Sequence, residues 1–217
     1  MTDYVAPVDD MLFTMREQAG LGEVQALPGF EDATDDVVEA VLEEAGKFAG
    51  GVLSPINRSG DMEGTRVENA AVVPPSGFAD AYRQFMEAGW PSVALPPEYD
   101  GQGLPQTLAV PVAELWSGSN LAFSLCPMLT QGAVDALTIH GSDELKQRFL
   151  PKLVSGEWTG TMNLSESQAG SDLAVVKARA EPDGDHWRIF GQKIWITWGD
   201  HDFTDNIVHL VLARAPD

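Results

Sequence analysis

The chain has 217 residues, 44% of them hydrophobic and 21% charged, an ordinary globular composition with material for one large domain or two small ones. Its net charge of −20 repels nucleic acid and anionic membrane surfaces and excludes both as partners, a solvated acidic surface being the simplest cause. No apolar run is long enough to span a bilayer.

The opening stretch MTDYVAPVDDMLF has neither the basic start nor the small-residue cleavage site of a signal peptide. DDVVEAVLEEAGKFAGGVL then sets Val37, Val38, Val41, Leu42, Ala45, Phe48 and Val52 at helical spacing, with acids on the other face. Thr34 or Asp35 is placed to cap this helix, and Gly50-Gly51 marks its weakening. INRSGDMEGTRVENAAVVPPSG is rich in Gly, Pro and Asn and is expected to be irregular. SGFADAYRQFMEAG repeats the helical pattern through Phe78, Ala81, Tyr82, Phe85 and Met86 and ends at Gly89. LPPEYDGQGLPQ is a second loop. PVAELWSGSNLAFSLCPMLTQGAVDALTIHG is apolar nearly all round, the pattern of helices buried on several sides. Its one cysteine, Cys126, has no partner for an internal disulfide, which fits a reducing cytoplasm. With no neighbouring His, Lys or Arg, it reads as a buried thiol and not as a nucleophile. SDELKQRFLPKLVSG is a further helix, with Ser142 as N-cap and Leu145, Phe149 and Leu153 facing inward; Pro151 should kink or end it.

Near Glu157 the period changes. WTGTMNL, VVKARAE, HWRIFG, KIWITW and NIVHLVLARA are short, alternating and rich in β-branched and aromatic residues, as strands are. Pro182-Asp183-Gly184-Asp185 is a hairpin turn signal. The expected fold is therefore α+β: an all-helical domain over residues 1–157, then the first strands of an antiparallel β domain over 158–217. A sheet left after so few strands has an unpaired edge and an uncovered face, so the sequence reads as the front part of a longer protein.

Familiar chemical motifs are missing. There is no GxGxxG (only Gly101-Gln102-Gly103 before a proline), no phosphate-binding Walker loop and no GxSxG elbow. His201-Asp202 with Asp205 is the one cluster with metal-ligand character, and on a single histidine it reads as a turn. Two segments remain. NLSESQAGSDL, residues 163–173, packs Ser165, Ser167, Gly170 and Ser171 around Glu166 and Asp172. It is either a plain surface turn or a loop whose hydroxyls and amides hold an anionic ligand. GQKIWITWG reads as a core strand with Trp195 and Trp198 on opposite faces. Composition alone does not decide between these readings.

NLSESQAGSDL resembles the first signature of the acyl-CoA dehydrogenases: Leu, Ser/Thr, Glu, two variable residues, then Ala-Gly-Ser-Asp. GQKIWIT resembles the flavin-contacting strand of that family, and the two stand in the right order with a hairpin between them. LPPEYDGQGLP and HGSDELKQRFLPKLVSGEWTGTMNLSE are similar to it as well, so the likeness runs from about Gly77 onward. YVAPVDDMLFTM and GDHDFTDNIVHLVLARAPD look like the branch that contains 3-methylmercaptopropionyl-CoA dehydrogenases.

The resemblance implies a helical domain, a β-barrel-like middle domain and a C-terminal helical domain, the last absent from this chain. It implies FAD as cofactor and α,β-desaturation of an acyl-CoA thioester, with electrons passed to an electron-transfer flavoprotein, in a cytoplasmic homodimer or homotetramer. It places Met162, Leu164 and Ser165 against the flavin ring, with backbone and hydroxyl donors from Leu164 and Ser165 at the polar edge. Gly170 would let the backbone approach, and Ser171 would meet the FAD pyrophosphate or the pantetheine arm of the substrate. Trp195, Ile196 and Thr197 would cover the other side, with Thr197 near N5. Asp172 is expected to fix the turn, and Glu166 to be structural. Met162, Asn163 and Val175 depart from the commoner residues of the signature. No residue is nominated as the base, which in this family comes from the C-terminal domain. Alternatives are an acyl-CoA oxidase or flavin monooxygenase of the same fold, or a non-catalytic helical interaction fragment.

Overall fold

The computed structural model describes residues 4–216; Met1–Asp3 of the opening stretch and the terminal Asp217 lie outside them. Helices come first: α1 (Val8–Glu17), α2 (Leu21–Gln25) and α3 (Asp35–Phe48). Thr34, and not Asp35, caps α3 by accepting a hydrogen bond from the Val37 amide at 3.4 Å. Val38, Leu42 and Ala45 are buried as the spacing requires, while Val37, one position off the stripe, is exposed.

Gly50-Gly51 does not end the helix. The chain widens into a π-turn over Ala49–Leu53 and runs straight on as α4 (Ser54–Glu63). The segment expected to be irregular therefore holds a helix, followed by a small hairpin of β1 (Arg66–Glu68) and β2 (Ala71–Val73). Packing overrides composition here, because Ile56 is held against the same core as Phe78. The helix α5 (Phe78–Glu87) buries Phe78, Ala81, Tyr82 and Phe85 as expected.

The apolar stretch forms α6 (Gln106–His140), which breaks at Asn120 (φ −156°, ψ 89°). Asn120 is fully buried; its Oδ1 accepts from the Phe123 amide at 3.1 Å and its Nδ2 donates to the Leu53 carbonyl at 3.2 Å. It thus caps the second half of α6 and ties the break to the π-turn. Cys126 lies buried on this half, and burial pushes its thiol up to about 12, so it is inert.

Ser142 caps α7 (Asp143–Val154) through the Leu145 amide at 3.3 Å. Pro151 does not stop this helix at once; it continues three residues to Val154. Its buried face is Leu150, Leu153 and Val154, with Phe149 half-buried and Leu145 exposed, a rotation from the expected stripe.

After α7 come β3 (Thr159–Asn163), β4 (Arg179–Asp183), β5 (His186–Phe190) and β6 (Ile207–Val211). β4 and β5 form the expected antiparallel hairpin, turning at Gly184-Asp185. β3 and β6 pair in parallel, Thr161 opposite His209, so the sheet is not wholly antiparallel. KIWITW is not a strand: Trp195 (φ 61°) and Trp198 (φ 51°) are left-handed, which breaks any alternation of faces.

β3 lies directly on α6. A Cβ at Gly160 would come 2.6 Å from Ala133 Cβ, and the Gly160 amide donates to Thr130 Oγ1 at 3.0 Å. This close seam sets where the chain leaves β3 and enters the serine-rich loop. No helix among the described residues is long and apolar enough to cross a membrane.

Candidate functional site

Beyond β3, successive carbonyls fix the chain. Asn163 accepts from the Leu212 amide at 3.1 Å and Ser165 from the Ile194 amide at 3.0 Å, while Leu164 accepts from Lys193 Nζ at 2.9 Å. The two segments singled out in the sequence are therefore joined side by side, residues 164–166 against 193–194, while Asn163 is held to Leu212 just beyond β6.

Glu166 locks this join. Its turn closes through paired bonds between Glu166 and Ala169, at 2.8 and 3.0 Å. Its carboxylate accepts from the Lys177 amide at 2.8 Å, the Ala178 amide at 2.9 Å, Gln168 Nε2 at 2.6 Å and Lys193 Nζ at 2.9 Å. The Lys177 amide above all, with the Lys193 ammonium, the Ala178 amide and Gln168, holds the acid down to about 2 against the opposing cost of burial. Glu166 is thus a structural anchor. Asp172 behaves as expected too, accepting from the Ala174 amide at 2.9 Å.

Around this anchor, donors are left over. Among the described residues, the hydroxyls of Ser165, Ser171 and Thr197 make no hydrogen bond, nor does the Ser165 amide. Leu164 is 37% exposed and Trp195 87% exposed, so apolar surface stands beside the free polar groups. Trp195 is far from the core position a strand would have given it. Ile196 is half-buried and Thr197 exposed. Met162 is half-buried on the α6 side of β3, within 3.4 Å of where a Cβ on Gly132 would sit. Gly170 and Ser171 are exposed beyond the 166–169 turn, and nothing lies within 4 Å of a Cβ built on Gly170. No hydrogen bond among the described residues ties Gly170 or Ser171 to 195–197.

Trp198 has a different role from Trp195. Its Nε1 donates to the Ala122 carbonyl at 2.9 Å, and its ring stacks on Phe78 at 6.1 Å and 30°. It pins the second segment to the helical part of the chain. His201 is buried beside it: Nδ1 accepts from the Phe203 amide at 3.2 Å, so the neutral ring carries its proton on Nε2 and donates to Thr159 Oγ1 at 3.0 Å. Burial lowers its pKa. No group of three or more His, Cys, Asp and Glu able to hold a metal exists among the described residues.

Sequence reasoning passed over Lys193. The signal was present: it is the only cation in GQKIWIT, and Glu166 is the acid nearest the start of the serine loop.

The description of the family model matching residues 35–157 is "Acyl-CoA dehydrogenase, N-terminal domain". The chain belongs to the acyl-CoA dehydrogenase family. It is 46% identical over 215 residues to the 3-methylmercaptopropionyl-CoA dehydrogenase of Ruegeria pomeroyi, covering 99% of this chain and 37% of the relative. To a butyryl-CoA dehydrogenase of Syntrophomonas wolfei it is 34% identical over 226 residues, covering 99% of this chain and 36% of the relative. This acyl-CoA dehydrogenase chain therefore spans little more than a third of the length of these two relatives. The glutaryl-CoA dehydrogenase of Mycobacterium smegmatis, solved in complex with FADH2, superposes with a TM-score of 0.68 at 22% identity, over 86% of this chain and 45% of that one. At that identity the likeness speaks for the acyl-CoA dehydrogenase fold.

Proposed function

We propose that this chain supplies one wall of the FAD site in an enzyme that desaturates an acyl-CoA thioester between Cα and Cβ. The observation that carries the reading is the bonded join of 164–166 to 193–194, which ties the free Ser165 hydroxyl and amide to the segment that goes on at once to the exposed Trp195 and the free Thr197 hydroxyl. A flat apolar ring with a polar rim needs this combination of cover and donors. The residues present fit FAD: Ser165 and Leu164 serve the rim of the ring, Trp195, Ile196 and Thr197 cover it, and Met162 closes the β3 side. Gly170 and Ser171 leave room for the pyrophosphate or the pantetheine arm.

FAD, when bound, supplies the acceptor for the β hydride. The chain's own part is to orient and to tune. Donors at Ser165 favour negative charge at the rim, and Trp195 with Ile196 keeps water from the face they cover. We nominate no base among these residues, since Glu166 is committed to its four donors.

The 46% identity to a 3-methylmercaptopropionyl-CoA dehydrogenase favours that thioester or a close analogue as substrate. We divide the chain at 157/158 into the helical domain and the start of the middle β domain, and we place the enzyme in the cytoplasm with an electron-transfer flavoprotein as acceptor. A homodimer or homotetramer is the proposed assembly; the exposed Leu121, Met128 and Ile139, in line along α6, provide apolar surface for burial.

The test is an absorbance spectrum of the gene product with FAD and a panel of acyl-CoAs. Anaerobic bleaching by 3-methylmercaptopropionyl-CoA or butyryl-CoA, with slow recovery in air, is the expected result. Rapid recovery with peroxide identifies an oxidase, and no flavin binding removes the reading.

A further inference from the structure

Lys193 does more than neutralise Glu166. Its Nζ donates to both Glu166 Oε1 and the Leu164 carbonyl, each at 2.9 Å, and the two side chains are only 10% and 5% exposed. A trans peptide is planar, so its C=O and N–H point in opposite directions and fixing one fixes the other. Among the three peptide units that leave β3, the carbonyls of Asn163 and Ser165 are held by backbone amides. The unit between them, Leu164–Ser165, is held at its carbonyl by the Lys193 side chain. Its N–H belongs to Ser165 and has no partner among the described residues.

We propose that Lys193 is a positioning residue for the cofactor: by gripping the Leu164 carbonyl it holds the Ser165 amide outward as a fixed donor to the flavin rim. The assignment rests on the flavin reading above. Glu166 serves Lys193 in turn. An ammonium this far from water needs a counter-charge, and the carboxylate, anchored by two backbone amides, holds it at one place. The low pKa of Glu166 agrees, since the acid stays ionised wherever the protein is folded near neutral pH.

Three variants of the gene product separate positioning from stability: Lys193→Met, Glu166→Gln, and the two together. Each is titrated with FAD, the reduction potential of bound flavin is measured, and a melting temperature is recorded. Lys193→Met is expected to weaken FAD binding by about three- to tenfold, the loss of the one neutral hydrogen bond from the Ser165 amide, and to make the flavin harder to reduce. Glu166→Gln takes the counter-charge from Lys193 but leaves the Leu164 carbonyl as an acceptor for the ammonium, so it should lower the melting temperature and reduce FAD affinity less than Lys193→Met does. The double variant leaves no unpaired buried charge, though one of the Lys177 and Ala178 amides loses its acceptor, and it should melt no lower than Lys193→Met. It should keep the full FAD defect. FAD affinity and potential like wild type in the double variant, or a Lys193→Met variant that differs only in melting temperature, overturns the assignment. A wild-type protein that binds no FAD overturns both this assignment and the flavin reading.

Discussion

Gly160→Ala tests the seam that aims the site. The added methyl would stand 2.6 Å from Ala133 Cβ and 3.4 Å from Thr130 Cα. Carbon atoms rest at about 3.5–4.0 Å, so β3 and α6 must part by about 1 Å. Both neighbours are backbone or Cβ atoms that no rotamer change can move aside. Overpacking of this kind costs about 1–3 kcal/mol. The same separation strains the 3.0 Å bond from the Gly160 amide to Thr130 Oγ1, worth about 1 kcal/mol. Alanine's advantage over glycine in a strand returns roughly 0.5–1 kcal/mol. The net expectation is about 1–3.5 kcal/mol of destabilisation, read as a lower urea midpoint at unchanged slope. Ala133→Gly removes the principal clash and by itself costs about 1 kcal/mol as a helix glycine. The double variant should therefore be about 1–2 kcal/mol more stable than the sum of the single changes. A Gly160→Ala protein within about 0.5 kcal/mol of wild type, or strict additivity with Ala133→Gly, refutes the close-seam argument.

Asn120→Leu removes two buried hydrogen bonds at the break in α6 and should cost about 2–4 kcal/mol by thermal melting; a neutral effect would mean that the break does not depend on its cap. The folded pKa values of Glu166 and His201 both lie below their unfolded values, so the unfolded chain binds more protons as pH falls. Stability is then full above about pH 6.5, declines first through His201, and is lost further between about pH 4.5 and pH 2 through Glu166. Urea midpoints from pH 7 to 3 check this, with His201→Gln flattening the upper part; stability that rises on acidification contradicts it. Ser165→Ala and Thr197→Val touch no hydrogen bond among the described residues, so melting temperatures should stay put. FAD affinity should fall about three- to tenfold for each, the size of one neutral hydrogen bond, and unchanged affinity in both counts against their proposed place at the rim.

The helical part was legible wherever one face was apolar and the ends were punctuated. Thr34 and Ser142 cap as their sequence positions imply, and α5 buries four of the five residues its spacing selects, Met86 being half-buried. α4 was hidden because Asn57, Gly60 and Pro55 suppress the helical signal, while its stability comes from continuity with α3 and packing on Phe78. The hairpin was legible from its turn residues alone.

The two motif segments could be read, by residue type, as a turn with donors and an aromatic stretch beside it. Local chemistry determines that much, since hydroxyls, small residues and caps act within a few positions of themselves. Only the tertiary structure decided the rest. Parallel pairing of β3 with β6 joins residues dozens of positions apart, and no alternation pattern carries that register. The left-handed Trp195 and Trp198 follow from an anchor outside their own segment, with Trp198 bonded to Ala122 on α6 and Trp195 released to the surface. Lys193 acquires its meaning only when folding sets its ammonium between Leu164 and Glu166. Such contacts depend on three-dimensional distance, which the order of residues along a chain does not encode position by position.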